Sequence, residues 1–189
     1  MEIPIFGYVK EGFEKVKTAF EENFKMRNEV GASCCVYYRD EKVVDLWGGF
    51  RDKKRKQYWE EDTLSIVFST TKGMSSLALA LLHSRGLLNY DEKVATYWPE
   101  FAFNGKEQIT MRQLLAHQAG LYTNAKSLNY EVLTSEDTLS DCLAKQKPYW
   151  NPGEKKGYHA WTIAMYQNDI CKRVDPLRKP IHRFFKDEI

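Results

Sequence analysis

Apolar residues at Val9, Phe13, Val16, Phe20 and Phe24 recur every three to four positions, a spacing that predicts one amphipathic helix over roughly 9–28, its stripe laid on a sheet. The period then changes. "ASCCVYYRDEKVVDLWGGF", Ala32 to Phe50, holds two β-rich runs around the polar "RDEK", which predicts an antiparallel hairpin closed at its far end by Gly48 and Gly49. A hairpin alone is marginal in water, so it needs further strands or the helix against it. "EDTLSIVFS" is a short β-branched and aromatic run, strand or loop, that delivers Ser69 to a helix. There Met74, Leu77, Ala78, Leu81 and Leu82 recur at helical spacing up to Gly86, a C′-type residue.

Further on, "GLLNYDEKVATYWPEF" predicts a loop and a short helix ending before Pro99. Thr110 is placed to cap another short helix that Gly120 ends. Leu139, Cys142 and Leu143 share one face of a helix within 136–147, and the turn-rich "PYWNPGEKKGYHAW" follows. A helix over about 160–174 is expected to bury Trp161, Ile163, Ala164 and Ile170 before "DPLRKP" breaks it, and "IHRFFKDEI" reads as helical. Helix, hairpin and then a run of helices make the fold class α+β.

Composition narrows the function. The chain has 189 residues, 43% hydrophobic and 29% charged, enough for a core without metals or disulfides. A net charge of +2 from 28 basic and 26 acidic residues gives no field to recruit nucleic acid. The basic run "DKKRKQ" at 52–57 reads as a solvated turn. Cys34, Cys35, Cys142 and Cys171 lack C-x-x-C spacing, so the expectation is reduced, buried thiols and no metal site. No apolar stretch approaches 18 residues and no signal-peptide pattern opens the chain, so a cytoplasmic protein without a membrane span is expected.

Ser69 and Lys72 form an S-x-x-K pair, three apart on a helix and therefore on one face. A serine hydroxyl becomes a useful nucleophile when a neighbouring neutral lysine or a phenolate takes its proton. Spacing alone does not establish this. With nine serines and 19 lysines in the chain, chance supplies about one such pair, and serine is a preferred helix cap.

Longer blocks add what the pair lacks. "DTLSIVFSTTKGMSSLALALLHSRGLLNYDEKVATYWPEF" resembles the nucleophile segment of the serine β-lactamase and penicillin-binding protein superfamily, in the branch of class C β-lactamases and family VIII carboxylesterases. "ITMRQLLAHQAGL" resembles that branch's L-L-x-H-x-x-G-L block. "NPGEKKGYHAWTIAMYQNDICKRVDP" resembles its second catalytic block, where a tyrosine follows a Pro-Gly turn. The resemblance implies a β-lactamase/transpeptidase-like fold and a serine acyl hydrolase, esterase-like or β-lactamase-like. Ser69 would be acylated, with Lys72 as its proton partner and Tyr158 as phenolic base or acid. It implies no cofactor and no metal, and a small ester or amide as substrate. It gives His117 a scaffold role and His159 no catalytic one. "SDC" at 140–142 departs from the class A S-D-N element at its third residue and fits a core helix better.

Two departures qualify these expectations. Class C enzymes carry an asparagine two residues after the tyrosine, where this chain has Ala160, and that tilts the reading toward esters. The superfamily's third block, K-T-G, H-x-G or W-G-G on a later strand, helps form the oxyanion hole, and nothing after Tyr158 matches it. "WGG" at 47–49 precedes Ser69 and belongs to the first hairpin. The chain therefore reads as a single partial domain, with 1–68 starting the sheet region and 69–189 mainly helical. Its sheet would be incomplete unless another chain completes it. The competing expectation is a catalytically inactive truncated member that serves as an interaction module.

Overall fold

Alternating apolar positions build an antiparallel sheet in the computed structural model, which describes residues 3–124 and 128–189. Strand β1 (Ile5–Val9) is followed by helix α1 (Glu14–Met26) and strands β2 (Gly31–Tyr38), β3 (Glu41–Asp52) and β4 (Gln57–Tyr58). β3 lies between β1 and β2, and β4 pairs with its far end. Register is fixed by pairs such as Ile5 with Gly48 and Cys34 with Leu46. Val43, Val44 and Leu46 of β3 are buried with Phe20 and Phe24 of α1. Two of the five residues in the sequence stripe thus anchor the helix, while Val9 belongs to β1. β1 is not legible as a strand, because only its pairing with β3, some 40 residues on, stabilises so short and glycine-containing a segment.

The hairpin turns on Arg39 and Asp40, at φ +49° and +63°. Positive φ at both central residues matches the twist of a two-residue hairpin. Gly48 and Gly49 do not close the hairpin's end. They lie within β3, where neighbouring backbone crowds them: a Cβ on Gly49, itself at φ +79°, would stand 2.2 Å from the Val30 carbonyl oxygen. The basic run forms the turn between β3 and β4.

The chain divides into two compact units, Met1–Ile66 and Val67–Ile189. In the second, a one-turn 3-10 segment (Phe68–Thr70) leads into α2 (Thr71–Ser84). There follow α3 (Val94–Tyr97), α4 (Met111–Leu115), α5 (Tyr130–Thr134), α6 (Glu136–Lys145), α7 (Thr162–Val174) and α8 (Ile181–Glu188). α2 buries Ala78, Leu79 and Leu82, whereas Met74 and Leu77 of the sequence stripe are exposed. Gly86, at φ +73°, follows its C-cap. Thr110 caps α4 through a reciprocal capping box with Gln113, and α4 ends at Leu115, before Gly120.

α7 begins at Thr162 and turns Ile163, Tyr166, Ile170 and Val174 inward. Trp161 and Ala164 are exposed, a correction to the expected core: Trp161 stands one residue before the helix, outside its stripe. Trp98, Phe101, Tyr166 and Phe184 are the large aromatics of this core. Lys106 is fully buried, its ammonium donating to the carbonyls of Ala144 (2.6 Å) and Gln146 (2.5 Å) at the C-terminal end of α6. Carbonyls unsatisfied at a helix end favour a cation there. Burial nonetheless pulls its pKa down to about 8.

The cysteines are free, but Cys171 alone of the four is buried, and burial pushes its thiol up to about 12. The run 63–67 forms no strand, and Leu64 and Ile66 are largely exposed. Among the described residues no helix is long and apolar enough to cross a membrane.

Candidate functional site

The chain turns sharply just ahead of the serine. Phe68 takes φ +43°, a costly conformation for a bulky side chain, typically about 1–3 kcal/mol, and its ring is exposed. The 3-10 turn that follows makes Thr70 the residue capping α2, with no side-chain cap bond. Ser69 is therefore not a helix cap. Its Oγ instead accepts a hydrogen bond from Lys72 Nζ at 3.0 Å, as the three-residue spacing on one face allows.

Tyr158 reaches the same place from the loop before α7. Lys72 Nζ lies 5.1 Å from the centroid of its ring. The Ser69 hydroxyl and then the Lys72 ammonium, both acting on the phenol oxygen, hold Tyr158 below the ordinary tyrosine range. All three expected site residues thus converge within the second unit.

Two histidines build the support. His117 sits at φ +63° just beyond α4, where its N–H donates to Leu114 O and the Gln118 N–H to Gln113 O, the pattern of a Schellman C-cap. From there its carbonyl accepts from Gly157 N–H at 3.0 Å, and its Nδ1 accepts from His159 N–H at 3.0 Å. Its ring packs 5.0 Å from that of Tyr158. Burial, then Lys156 and Lys72, keep His117 below the usual imidazole pKa.

His159 is fully buried. Its Nε2 accepts from Leu121 N–H at 3.0 Å, so Nδ1, 2.6 Å from Gly157 O, carries the proton and donates it. This arrangement requires a neutral ring, and burial pushes its pKa down to about 4. Among the described residues neither histidine is hydrogen-bonded to Ser69, and each is bonded to the loop that carries Tyr158.

A base whose folded pKa is depressed contributes stability that is fully present above its unfolded pKa of about 6.5. That stability is lost as pH falls toward the folded value. Stability should therefore drop by up to about 3 kcal/mol between pH 6.5 and 4, the shift at about 1.4 kcal/mol per unit. Urea midpoints across that range should show the slope in the wild type and a flatter one in His159→Gln.

Helix–helix contacts fix α2 beneath the site. Ser75 Oγ lies 2.8 Å from Gln167 Oε1 and 3.1 Å from the Lys72 carbonyl, and the buried Gln167 donates to Ser76 Oγ at 3.3 Å. These contacts hold the turn that bears Lys72, a role sequence reading did not assign to Gln167. A cavity of about 650 Å³ in the first unit is lined by Ile3, Pro4, Ile5 and Phe24 together with Lys17, Glu21 and Lys25. Among the described residues no group of three or more His, Cys, Asp or Glu is arranged for a metal.

Comparison with known proteins gives this geometry a family context. Relative to the esterase/β-lactamase LipL of Mycobacterium tuberculosis (strain ATCC 25618 / H37Rv), 185 residues are 33% identical, covering 98% of this chain and 42% of that protein. A crystal structure of a family VIII carboxylesterase superposes with a TM-score of 0.88 at 40% identity, over 98% of this chain and 50% of that one. A penicillin-binding protein homologue from Caulobacter crescentus gives 0.89 at 36% identity, with the same coverage. The chain thus spans about half the length of these relatives. The Beta-lactamase family model matches residues 16–189, most of both units, and the chain belongs to that family.

Proposed function

We propose that the chain carries the acylation machinery of a serine hydrolase that works on small esters through an acyl-enzyme on Ser69. The observation that carries this reading is the 3.0 Å contact from Lys72 Nζ to Ser69 Oγ beside a phenol whose pKa both residues lower. Tyr158 as phenolate, with Lys72 relaying, takes the hydroxyl proton while Oγ bonds to the ester carbonyl carbon. The tetrahedral intermediate collapses, the C–O bond to the leaving group breaks, and Tyr158 returns the proton to the departing oxygen. Water, deprotonated by the same phenolate, then attacks the acyl carbon; the bond to Ser69 Oγ breaks, Oγ takes the proton back from Tyr158, and the acid is released. Ala160 supplies no amide for a β-lactam or peptide side chain, which favours esters.

The oxyanion needs donors, and an additional one would come from strands that these residues do not include. A polypeptide completing the sheet is the natural partner, and its absence would cost about 10²–10³ in turnover per donor. A second reading, a non-catalytic interaction module, draws on the exposure of Leu64 and Ile66 in the first unit, surface of the kind a partner covers. A fluorophosphonate probe separates the two. It should label the wild-type chain and leave Ser69→Ala unlabelled; equal labelling of both would refute the hydrolase reading.

A further inference from the structure

The candidate site is assembled from two segments of the second unit. Ser69 lies in the 3-10 turn before α2 and Lys72 in the first turn of that helix, whereas Tyr158 stands in the loop that leads into α7. α2 and α7 pack directly, and the residues they bury, Ala78, Leu79 and Leu82 on one and Ile163, Tyr166 and Ile170 on the other, belong to one apolar core. Apolar burial is non-directional and by itself specifies the rotation of a helix only weakly. Gln167 of α7 supplies the direction. It is 1% exposed, and its amide grips two successive residues of α2: Oε1 accepts from Ser75 Oγ at 2.8 Å, and Nε2 donates to Ser76 Oγ at 3.3 Å. Among the described residues no other hydrogen bond or ion pair joins the two helices.

We propose that Gln167 is a positioning residue for the acylation of Ser69, its amide holding α2 in the rotation that sets Lys72 beside Tyr158; the proposal rests on the hydrolase reading above. A buried amide fixes register where apolar packing does not. Neighbouring residues on a helix point about 100° apart, so an amide bonded to both Ser75 and Ser76 sets the rotation of α2 about its own axis. Lys72 shares the face of Ser75 one turn earlier, and Ser75 Oγ stands 3.1 Å from the Lys72 carbonyl. Lys72 Nζ in turn donates to Ser69 Oγ at 3.0 Å and lies 5.1 Å from the centroid of the Tyr158 ring. Gln167 itself bonds none of these three side chains. Two titratable neighbours face Tyr158, and they separate the effect: Lys72 moves with α2, whereas His117, from the turn after α4, does not.

The test follows the phenol itself. With tyrosine carrying 13C at Cζ, NMR titration of the Tyr158 signal, assigned by its loss in Tyr158→Phe, gives the ionisation midpoint without any substrate. In the wild type that midpoint should fall below the ordinary value of about 10. Gln167→Met keeps a side chain of similar length and removes the amide. Its Tyr158 midpoint should move back toward the ordinary value, and fluorophosphonate labelling of Ser69 should slow by about tenfold to a hundredfold, the scale of a small misplacement of reacting groups. Ser75→Ala cuts the same link from α2 and should shift the midpoint in the same direction, so the test stands even where Gln167→Met does not fold. A purely structural amide would lower the urea midpoint and leave the phenol where it is. A Tyr158 midpoint unchanged in every folded variant, or already at the ordinary value in the wild type, would therefore overturn the proposal. Labelling of the wild type with an unchanged midpoint in the variants removes only the role of Gln167. A shifted midpoint without labelling of the wild type removes only the chemistry.

Discussion

Tyr158→Phe should slow acylation of Ser69 by about 10²–10⁴-fold, the usual contribution of a positioned proton-transfer group, and should abolish the rise of rate with pH. The substitution removes one oxygen and keeps the ring that packs on His117 and faces the Lys72 ammonium. Fold and access to Ser69 should therefore survive. What is lost is the oxygen whose pKa Ser69 and Lys72 lower. In the wild type, acylation should increase with pH as the phenol ionises, with its midpoint below the ordinary tyrosine value of about 10. Labelling rates with a fluorophosphonate between pH 6 and 10 check both statements. A Phe variant that keeps the wild-type slope would transfer the base role to Lys72 alone.

The residues of this site were legible in the sequence because their spacing is local or their block is specific. Ser69 and Lys72 lie within one helical turn, so the contact follows from the pitch. What the sequence concealed depends on distant pairing. β1 exists because β3 pairs with it, whereas the hairpin around "RDEK" was legible from its flanking runs although its turn at Arg39 and Asp40 lacks an Asn-Gly signal. Helical periodicity located α2 and α7, yet it misplaced Trp161 and Ala164. A broad apolar stripe offers several faces, and only neighbouring elements decide which one is covered. His159 and Gln167 are further cases: their roles as splints arise from backbone and side-chain partners about 40 and 90 residues away.

The sharpest energetic contrast in the chain is between two tryptophans. Trp98→Ala should destabilise the second unit by about 3–5 kcal/mol, the usual cost of truncating a buried tryptophan, against a total of about 5–15 kcal/mol for a domain. Trp98 is fully buried, and its ring packs on Phe101 at 5.6 Å and Tyr166 at 6.2 Å. Over its face lies the Arg173 guanidinium, 4.3 Å from the ring, which also binds Asp169 Oδ1 at 2.7 Å and Ser140 Oγ at 3.0 Å. Truncation opens a cavity and removes the surface that Arg173 lies on, so the Asp169 and Ser140 contacts should loosen with it. Trp161→Ala should change stability by no more than about 0.5 kcal/mol, since its ring is 80% exposed. Urea unfolding of the two variants in parallel measures the difference. Equal midpoints would mean that the core of the second unit is not organised around Trp98.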